Sequence, residues 1–249
     1  MLFGGVFSAR PGTPADRATW GETQNDPHHY VLGYYGAVTT GGVHVGSPTP
    51  PWEVGASWMG AIAPQLRRDP SAGLEGLALV GVTPPPPELA DNFTERNELL
   101  FAGVSTAVEA SGELLVEKVI STYQVNDLDA EDDSWLDIQT AYTTAAMSTE
   151  LRRDLRQAFR NHKIVNDGTP IQAGQKIVSP SGIRAFAVSK YQSFQARGWV
   201  ENIDAFVKHL RVMRNADNPR RVDMVFPPDL ANPLDVMAVL MQPRLQYPA

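Results

Sequence analysis

A serine among small residues is the first candidate for chemistry. Gly103-Val104-Ser105-Thr106-Ala107 has the Gly-x-Ser-x-Ala form of a nucleophile's setting. Such a serine needs a histidine base and an aspartate that orients it. The histidine in suitable order, His44, sits in Gly42-Val43-His44-Val45-Gly46, with no Gly-Thr after it and no Asp-Ser-Gly or Asp-Thr-Gly before it. Ser105 also lies in a β-patterned run rather than at a helix start, so it reads as a structural hydroxyl. The second candidate is acidic: Asp127, Asp129, Glu131, Asp132 and Asp133. A helix–loop–helix calcium site needs glycine at its sixth position and a carboxylate at its twelfth. Counted from Asp127, those positions hold Asp132 and Ile138. The acids therefore read as a solvated loop ahead of a helix N-terminus, where the helix dipole favours negative charge. His28, His29, His162 and His209 lack metal-ligand spacing. Gly41-Gly42 and the other glycines form neither Gly-x-Gly-x-x-Gly nor a phosphate loop. No catalytic, cofactor or metal site is expected. A basic group remains: Arg152, Arg153, Arg156, Arg160 and Lys163. At the C-terminal end of a helix these complement the dipole. A sharper reading is contact with an acidic partner surface, and the acidic loop of another copy qualifies.

The elements that position these residues follow from patterning. Residues 1–29 read as irregular, with turns at Arg10–Pro14 and Asn25–Pro27. Tyr30–Gly36 reads as a buried strand and Thr39–Gly46 as a glycine-rich loop. Thr49 is the expected cap of a helix whose apolar face is Trp52, Ala56, Met59, Ala63 and Leu66. Leu77–Val82 reads as a second buried strand, completing a βαβ-type unit. Thr83–Pro87 is a stiff spacer. A helix from Thr94 to Ala102 stops at Gly103. A hairpin follows, Val104–Glu109 turning through Ala110-Ser111-Gly112 into a long strand, Leu114–Val125. That strand is apolar on both faces and so internal to a sheet. Ser134 is the expected cap of a long helix, Trp135 to Arg160, buried through Trp135, Ile138, Tyr142, Ala145, Leu151, Leu155 and Phe159. Ser179-Pro180 opens a helix with the stripe Ile183, Ala187, Tyr191 and Phe194, stopped by Gly198. A short helix, Asn202–His209, precedes two strands, Leu210–Arg214 and Arg221–Phe226. The chain closes on an extended run, Leu234–Tyr247.

Composition bounds the function. The 249 residues include no cysteine, which excludes disulfides and thiolate chemistry. A formal net charge of −7 argues against general nucleic-acid binding. Apolar runs fall far short of the ~18 residues of a membrane span. The start, MLFGGVF, lacks the basic region of a secretory signal. The fold class expected is α/β to α+β, with a partial α/β part over 1–103 and a C-terminal mixed sheet with long helices over 104–249.

Several motifs in register carry a resemblance. Ser47-Pro48-Thr49-Pro50-Pro51-Trp52-Glu53, Glu95-Arg96-Asn97 with Leu99-Leu100, and Gly103–Thr106 come first. Val119-Ile120-Ser121-Thr122-Tyr123-Gln124 with Asn126 and Asp133-Ser134-Trp135-Leu136-Asp137 follow. His162-Lys163-Ile164 with Asp167-Gly168-Thr169 and Phe226-Pro227-Pro228-Asp229-Leu230 with Asn232 complete the set. Together they resemble the tail sheath proteins of contractile-tailed, Mu-like phages, over roughly residues 25–247. A full sheath subunit of that family is longer, and the chain reads as its C-terminal half. The resemblance implies a structural, non-enzymatic subunit of a helical sleeve that contracts around a tail tube. It implies that the first part is the domain commonly called subtilisin-like. Neighbouring sheath subunits, the tube, the baseplate and the tail terminator are the implied partners, without nucleic acid, cofactor or membrane insertion. The implied location is the virion tail, assembled in the host bacterial cytoplasm. Terminal arms of that family add strands to neighbours, and Leu234–Tyr247 is the candidate arm. Interface candidates are therefore Val236, Ala238, Leu240, Gln242, Arg244, Leu245 and Tyr247, with Arg152, Arg153, Arg156, Asp129 and Asp132. The long strand is expected inside the sheet that receives the added strand. Two alternatives stand beside this reading, a subtilisin-like serine hydrolase using Ser105 and the sheath of a related contractile injection or bacteriocin particle.

Overall fold

The computed structural model describes residues 4–36, 38–40 and 43–243. The chain opens with β1 (Val6–Pro11), α1 (Pro14–Gly21) and β2 (His29–Tyr34), and the two strands pair in parallel from Val6 opposite His29 to Pro11 opposite Tyr34. The βαβ crossover is thus formed by residues whose pattern reads as irregular. Its helix is set by a cap rather than by an apolar stripe. The Thr13 hydroxyl accepts from the Asp16 amide while the Asp16 carboxylate accepts from the Thr13 amide, and Pro14 opens the first turn. β3 (Val38–Thr40) and β4 (Val43–Val45) pair antiparallel within the stretch expected to be a loop.

α2 (Pro51–Arg68) occupies the expected place but turns a different face inward. Val54, Trp58, Ile62 and Leu66 are buried, whereas Trp52 and Met59 remain 73% and 49% exposed. The helix carries two apolar stripes, and the buried one includes the face that approaches β1. There Gly55 brings the backbones together, and a Cβ on it would lie 3.5 Å from the Ser8 Cα. Thr49 does not cap this helix, since its hydroxyl accepts from the Thr83 amide at 3.0 Å. Leu77–Val82 forms no strand of its own. Only Ala78 makes a bridge, opposite Leu115, with the Leu79 amide on the Leu114 carbonyl at 2.8 Å. α3 (Phe93–Phe101) is capped by Asn92 reciprocally with Glu95, two residues earlier than the expected cap Thr94.

β5 (Thr106–Ala110) and β6 (Glu113–Lys118) form the expected hairpin. Ser111 and Gly112 take φ values of 56° and 82°, the left-handed pair a two-residue turn requires. The return strand ends at Lys118, not Val125. Beyond it each residue changes partner: the Ser121 amide bonds to Leu136 and the Thr122 amide to His29. Ser105 docks beside β2 on the side away from β1, donating its amide to the Val31 carbonyl at 2.8 Å. The chain thereby lines up β1, β2, the β5–β6 hairpin and the 77–79 segment.

α4 (Ile138–Ala158) begins three residues later than the Trp135 start and has no side-chain cap. β7 (Lys163–Ile164) and β8 (Ile177–Val178) make a short parallel pair. α5 (Pro180–Gln195) is capped by the Ser179 hydroxyl, and α6 (Ile203–His209) starts from Asn202. β9 (Arg211–Arg214) and β10 (Val222–Val225) form an antiparallel hairpin, as their pattern predicts.

Two apolar cores result. The first joins Tyr30, Leu32, Trp58, Ile62, Val116 and Ile138 among others. The second joins Met147, Tyr191, Phe194, Val200, Phe206 and Leu210. α4 contributes to both, with Ile138 in the first and Met147 in the second. No helix among the described residues is long and apolar enough to cross a membrane.

Candidate assembly surfaces

Ser105 is fully buried. Its hydroxyl donates to the Ile120 carbonyl at 2.9 Å and accepts from the Ile120 amide at 3.0 Å. A nucleophile needs its oxygen free towards substrate and bonded to a base. Here the oxygen splices two backbone segments, so the hydrolase alternative has no site at Ser105. The side chain of His44, with Gly41 and Gly42, lies outside the described residues. His29 pairs with the Ser8 hydroxyl at 2.8 Å and meets Trp20 edge-on. His162 faces the Arg160 carbonyl at 3.2 Å. Both histidines serve local packing.

The acidic loop is ordered by its own backbone. The Asn126 side-chain oxygen accepts from the Leu128 and Ala130 amides, and Val125 bridges Glu131. Asp129 takes φ 56° at the tip. Asp132 accepts from the Tyr123 hydroxyl at 2.7 Å and the Ser134 amide at 2.9 Å, and these bonds hold its carboxyl below the usual carboxylate range. Asp129, Glu131 and Asp133 are exposed.

The basic group divides. Arg153 is committed to Asp154 at 2.7 Å, which also binds Lys190 at 2.7 Å. Lys190 continues to Glu150, and Glu150 receives both terminal nitrogens of Arg197 at 2.9 Å. This chain of charges links α4 to α5. The Arg153 and Lys190 partners push the Asp154 carboxyl down to about 2, and Arg197 foremost lowers Glu150. Arg152, Arg156 and Arg160 are exposed and have no carboxylate partner among the described residues.

From Leu234 to Pro243 the closing segment has no regular structure and forms no strand pair among the described residues. Val236, Met237, Val239, Leu240 and Met241 are all at least 74% exposed. Arg244, Leu245 and Tyr247 lie outside the described residues. The root of the segment is fixed, because Lys118 binds Asp235 at 2.5 Å and Asp137 at 2.8 Å. Burial works against the Lys118 charge, and the two carboxylates outweigh it and raise its pKa. Sequence reasoning missed this anchor, since residues so distant in the chain carry no shared signal. It also missed the exposed rings of Phe93 and Phe101, which α3 turns outward.

Residues 130–244 match the family described as Phage tail sheath C-terminal domain. The tail sheath protein of the Mu-like prophage FluMu of Haemophilus influenzae is 31% identical over 245 residues. That alignment spans 97% of this chain and 48% of the relative, so the chain covers about half the length of the curated relative it matches. Among solved structures, the sheath complex of an extracellular contractile injection system (PVC) in its contracted state superposes with a TM-score of 0.57 at 12% identity. It covers 98% of this chain and 66% of that one. A chain in the baseplate of the anti-feeding prophage (AFP) gives 0.55 at 12% identity, over 95% of this chain and 60% of that one. These two likenesses speak for the mixed α/β fold. The match over residues 130–244 and the 31% identity along 97% of this chain bear out the resemblance to Mu-like phage tail sheath proteins.

Proposed function

We propose that the chain is a structural subunit of a contractile phage or prophage tail sheath, without enzymatic activity. It assembles with neighbouring copies into a helical sleeve around a tail tube, and the sleeve contracts to drive the tube through a host envelope. The observation that carries this reading is the identity with a Mu-like tail sheath protein along nearly the entire chain. The first core corresponds to the part of such subunits called subtilisin-like, a likeness of fold in which Ser105 serves as a structural splice. Tube, baseplate and terminator proteins are the further partners. The particle is assembled in the host bacterial cytoplasm. A related contractile injection particle is the second reading, favoured by the fold likeness to the PVC sheath.

The arm Leu234–Tyr247 is the proposed tether. Its apolar residues from Leu234 to Met241 are exposed and make no strand pair among the described residues, and β1 and the β9–β10 hairpin keep outer edges unpaired among the same residues. A strand added to such an edge gains backbone hydrogen bonds worth about 0.5–1.5 kcal/mol each. It also stays paired while the bulk of each subunit rotates. Electron microscopy of the chain co-expressed with full-length sheath subunits and the tube protein tests the proposal. Sleeves that incorporate the chain, and lose it when Leu234–Ala249 is deleted, are expected. Normal incorporation of the deleted chain overturns the tether.

A further inference from the structure

We infer that the groove between α3 and the acidic loop receives the arginine end of α4 from a second copy of this chain. The inference rests on the self-assembly reading above and names one contact within it.

The groove is about 830 Å³ and combines two chemistries. Leu100, Phe101 and Val125 supply an apolar floor, and Glu131, Asp132 and Asp133 supply a charged rim. Phe101 stands 81% exposed, so its ring adds open apolar surface beside the carboxylates. A neutral apolar partner would leave the carboxylates facing it without compensation, and a hydrophilic one would leave the phenyl ring uncovered. An arginine-bearing helix end meets both demands. Guanidinium groups bind carboxylates bidentately and lie over aromatic faces, and their methylene stems cover apolar surface.

The chain itself presents such an end. Arg152 and Arg156 are four residues apart and share one face of α4, and Arg160 follows just beyond it. Phe159 and Leu155 lie beside Arg156 and Arg160 in a second open groove, so this end is also part apolar. None of these three arginines has a carboxylate partner among the described residues, whereas their neighbour Arg153 has one. The two surfaces cannot meet within one molecule. The acidic loop precedes the N-terminus of α4, and the arginines lie at its other end. Along a straight helix, the rise from Ile138 puts Arg152 about 20 Å and Arg156 about 27 Å from that N-terminus, with Arg160 farther still. The contact is therefore head to tail between copies, and repeated head-to-tail contacts give a ring or an open helix. The loop is already held in shape by Asn126 and Tyr123, so little ordering is needed on docking. Each contact is weak when taken singly and accumulates along an assembly.

The absence of cysteine permits a direct test. Single-cysteine chains carrying Asp133→Cys or Arg156→Cys are mixed under mild oxidation at low salt. The mixture is expected to form the mixed disulfide at least about tenfold faster than either chain alone forms its homodimer, with the advantage falling as salt rises. No preference for the mixed species overturns the contact. A second arm uses charge. The triple variant Arg152→Glu, Arg156→Glu, Arg160→Glu and the double variant Glu131→Lys, Asp133→Lys should each assemble weakly, and a chain carrying all five should recover. Failure to recover, with circular dichroism unchanged, also refutes the pairing. If sleeves form with the tube protein while the triple variant assembles as well as the unaltered chain, the contact is wrong and the sheath reading stands. If no sleeve forms but the mixed disulfide does, the sheath reading fails and the contact stands.

Discussion

The two cores hold their charges differently. In the first, Arg17 is wholly buried on α1 and donates both terminal nitrogens to Asp91, at 2.7 and 2.5 Å, while its Nε reaches the Thr13 carbonyl. That pair is walled in by Gly33 and the α1–α3 packing, and all three guanidinium nitrogens of Arg17 are hydrogen-bonded. In the second core the charges run along the outside. Glu150, Lys190, Asp154, Arg153 and Arg197 link α4 to α5 in a partly exposed string, with Arg197 lying 4.1 Å over the Trp199 ring. A buried pair cannot be weakened gradually, because removing one member strands the other in low dielectric. An exposed string can be tuned by salt, pH and single substitutions. The first core is thus built to stay fixed, and the second keeps an adjustable seam.

The sharpest way to break this contrast is Arg17→Met. It leaves Asp91 facing an apolar pocket, and a loss of about 3–5 kcal/mol in urea unfolding is expected. A loss below about 1 kcal/mol would place the first core in the same class as the second. Ser105→Ala comes next. It strips a buried amide and carbonyl of Ile120 of their partner, at a cost of about 1–3 kcal/mol. The unaltered chain should also remain unlabelled by a fluorophosphonate probe, and labelling would reopen the nucleophile reading. In the second core, Glu150→Gln should cost about 1 kcal/mol or less, with the difference from the unaltered chain vanishing in high salt.

The smallest effect is in acid. The folded Asp154 carboxyl lies at about 2, below its ordinary 3.8, and Glu150 is lowered as well. A carboxylate with a depressed folded pKa adds stability above its unfolded pKa and loses it as pH falls through the folded value. Tryptophan fluorescence near Trp199 should therefore report loosening of the α4–α5 seam between about pH 4 and pH 2. Asp154→Asn should flatten that part of the curve. An unchanged curve would remove Asp154 from the seam.

The second core was the more legible from sequence, and the reason is local. Ser179-Pro180 marks a helix start, the stripe Ala187, Tyr191 and Phe194 repeats at helical spacing, and Asn215 closes a tight turn between β9 and β10. The first core depends on non-local choices. α1 is short and almost without an apolar stripe, so only Thr13 and Asp16 announce it. α2 carries two stripes, and which one is buried depends on β1, some 45 residues earlier. β6 ends at Lys118 because Ser105 takes the backbone of Ile120, a competition invisible in the apolar pattern of the strand. The acidic loop and the arginine cluster were legible, since charge runs are read directly. The exposure of Phe101 and the Lys118–Asp235 anchor belong to the folded chain alone.

The sharing of α4 has a kinetic consequence. Ile138 is anchored in one core and Met147 in the other, nine residues along the same helix. When one core opens, the helix stays docked through its remaining anchor. Backbone amides midway between the anchors should then exchange with solvent at the pace of the more durable core. Amides near either end should follow the core they touch. A hydrogen-exchange profile along α4 would read as a single step, with the middle of the helix sharing the slower of the two end rates, and the position of that step would show which half of the molecule yokes the other.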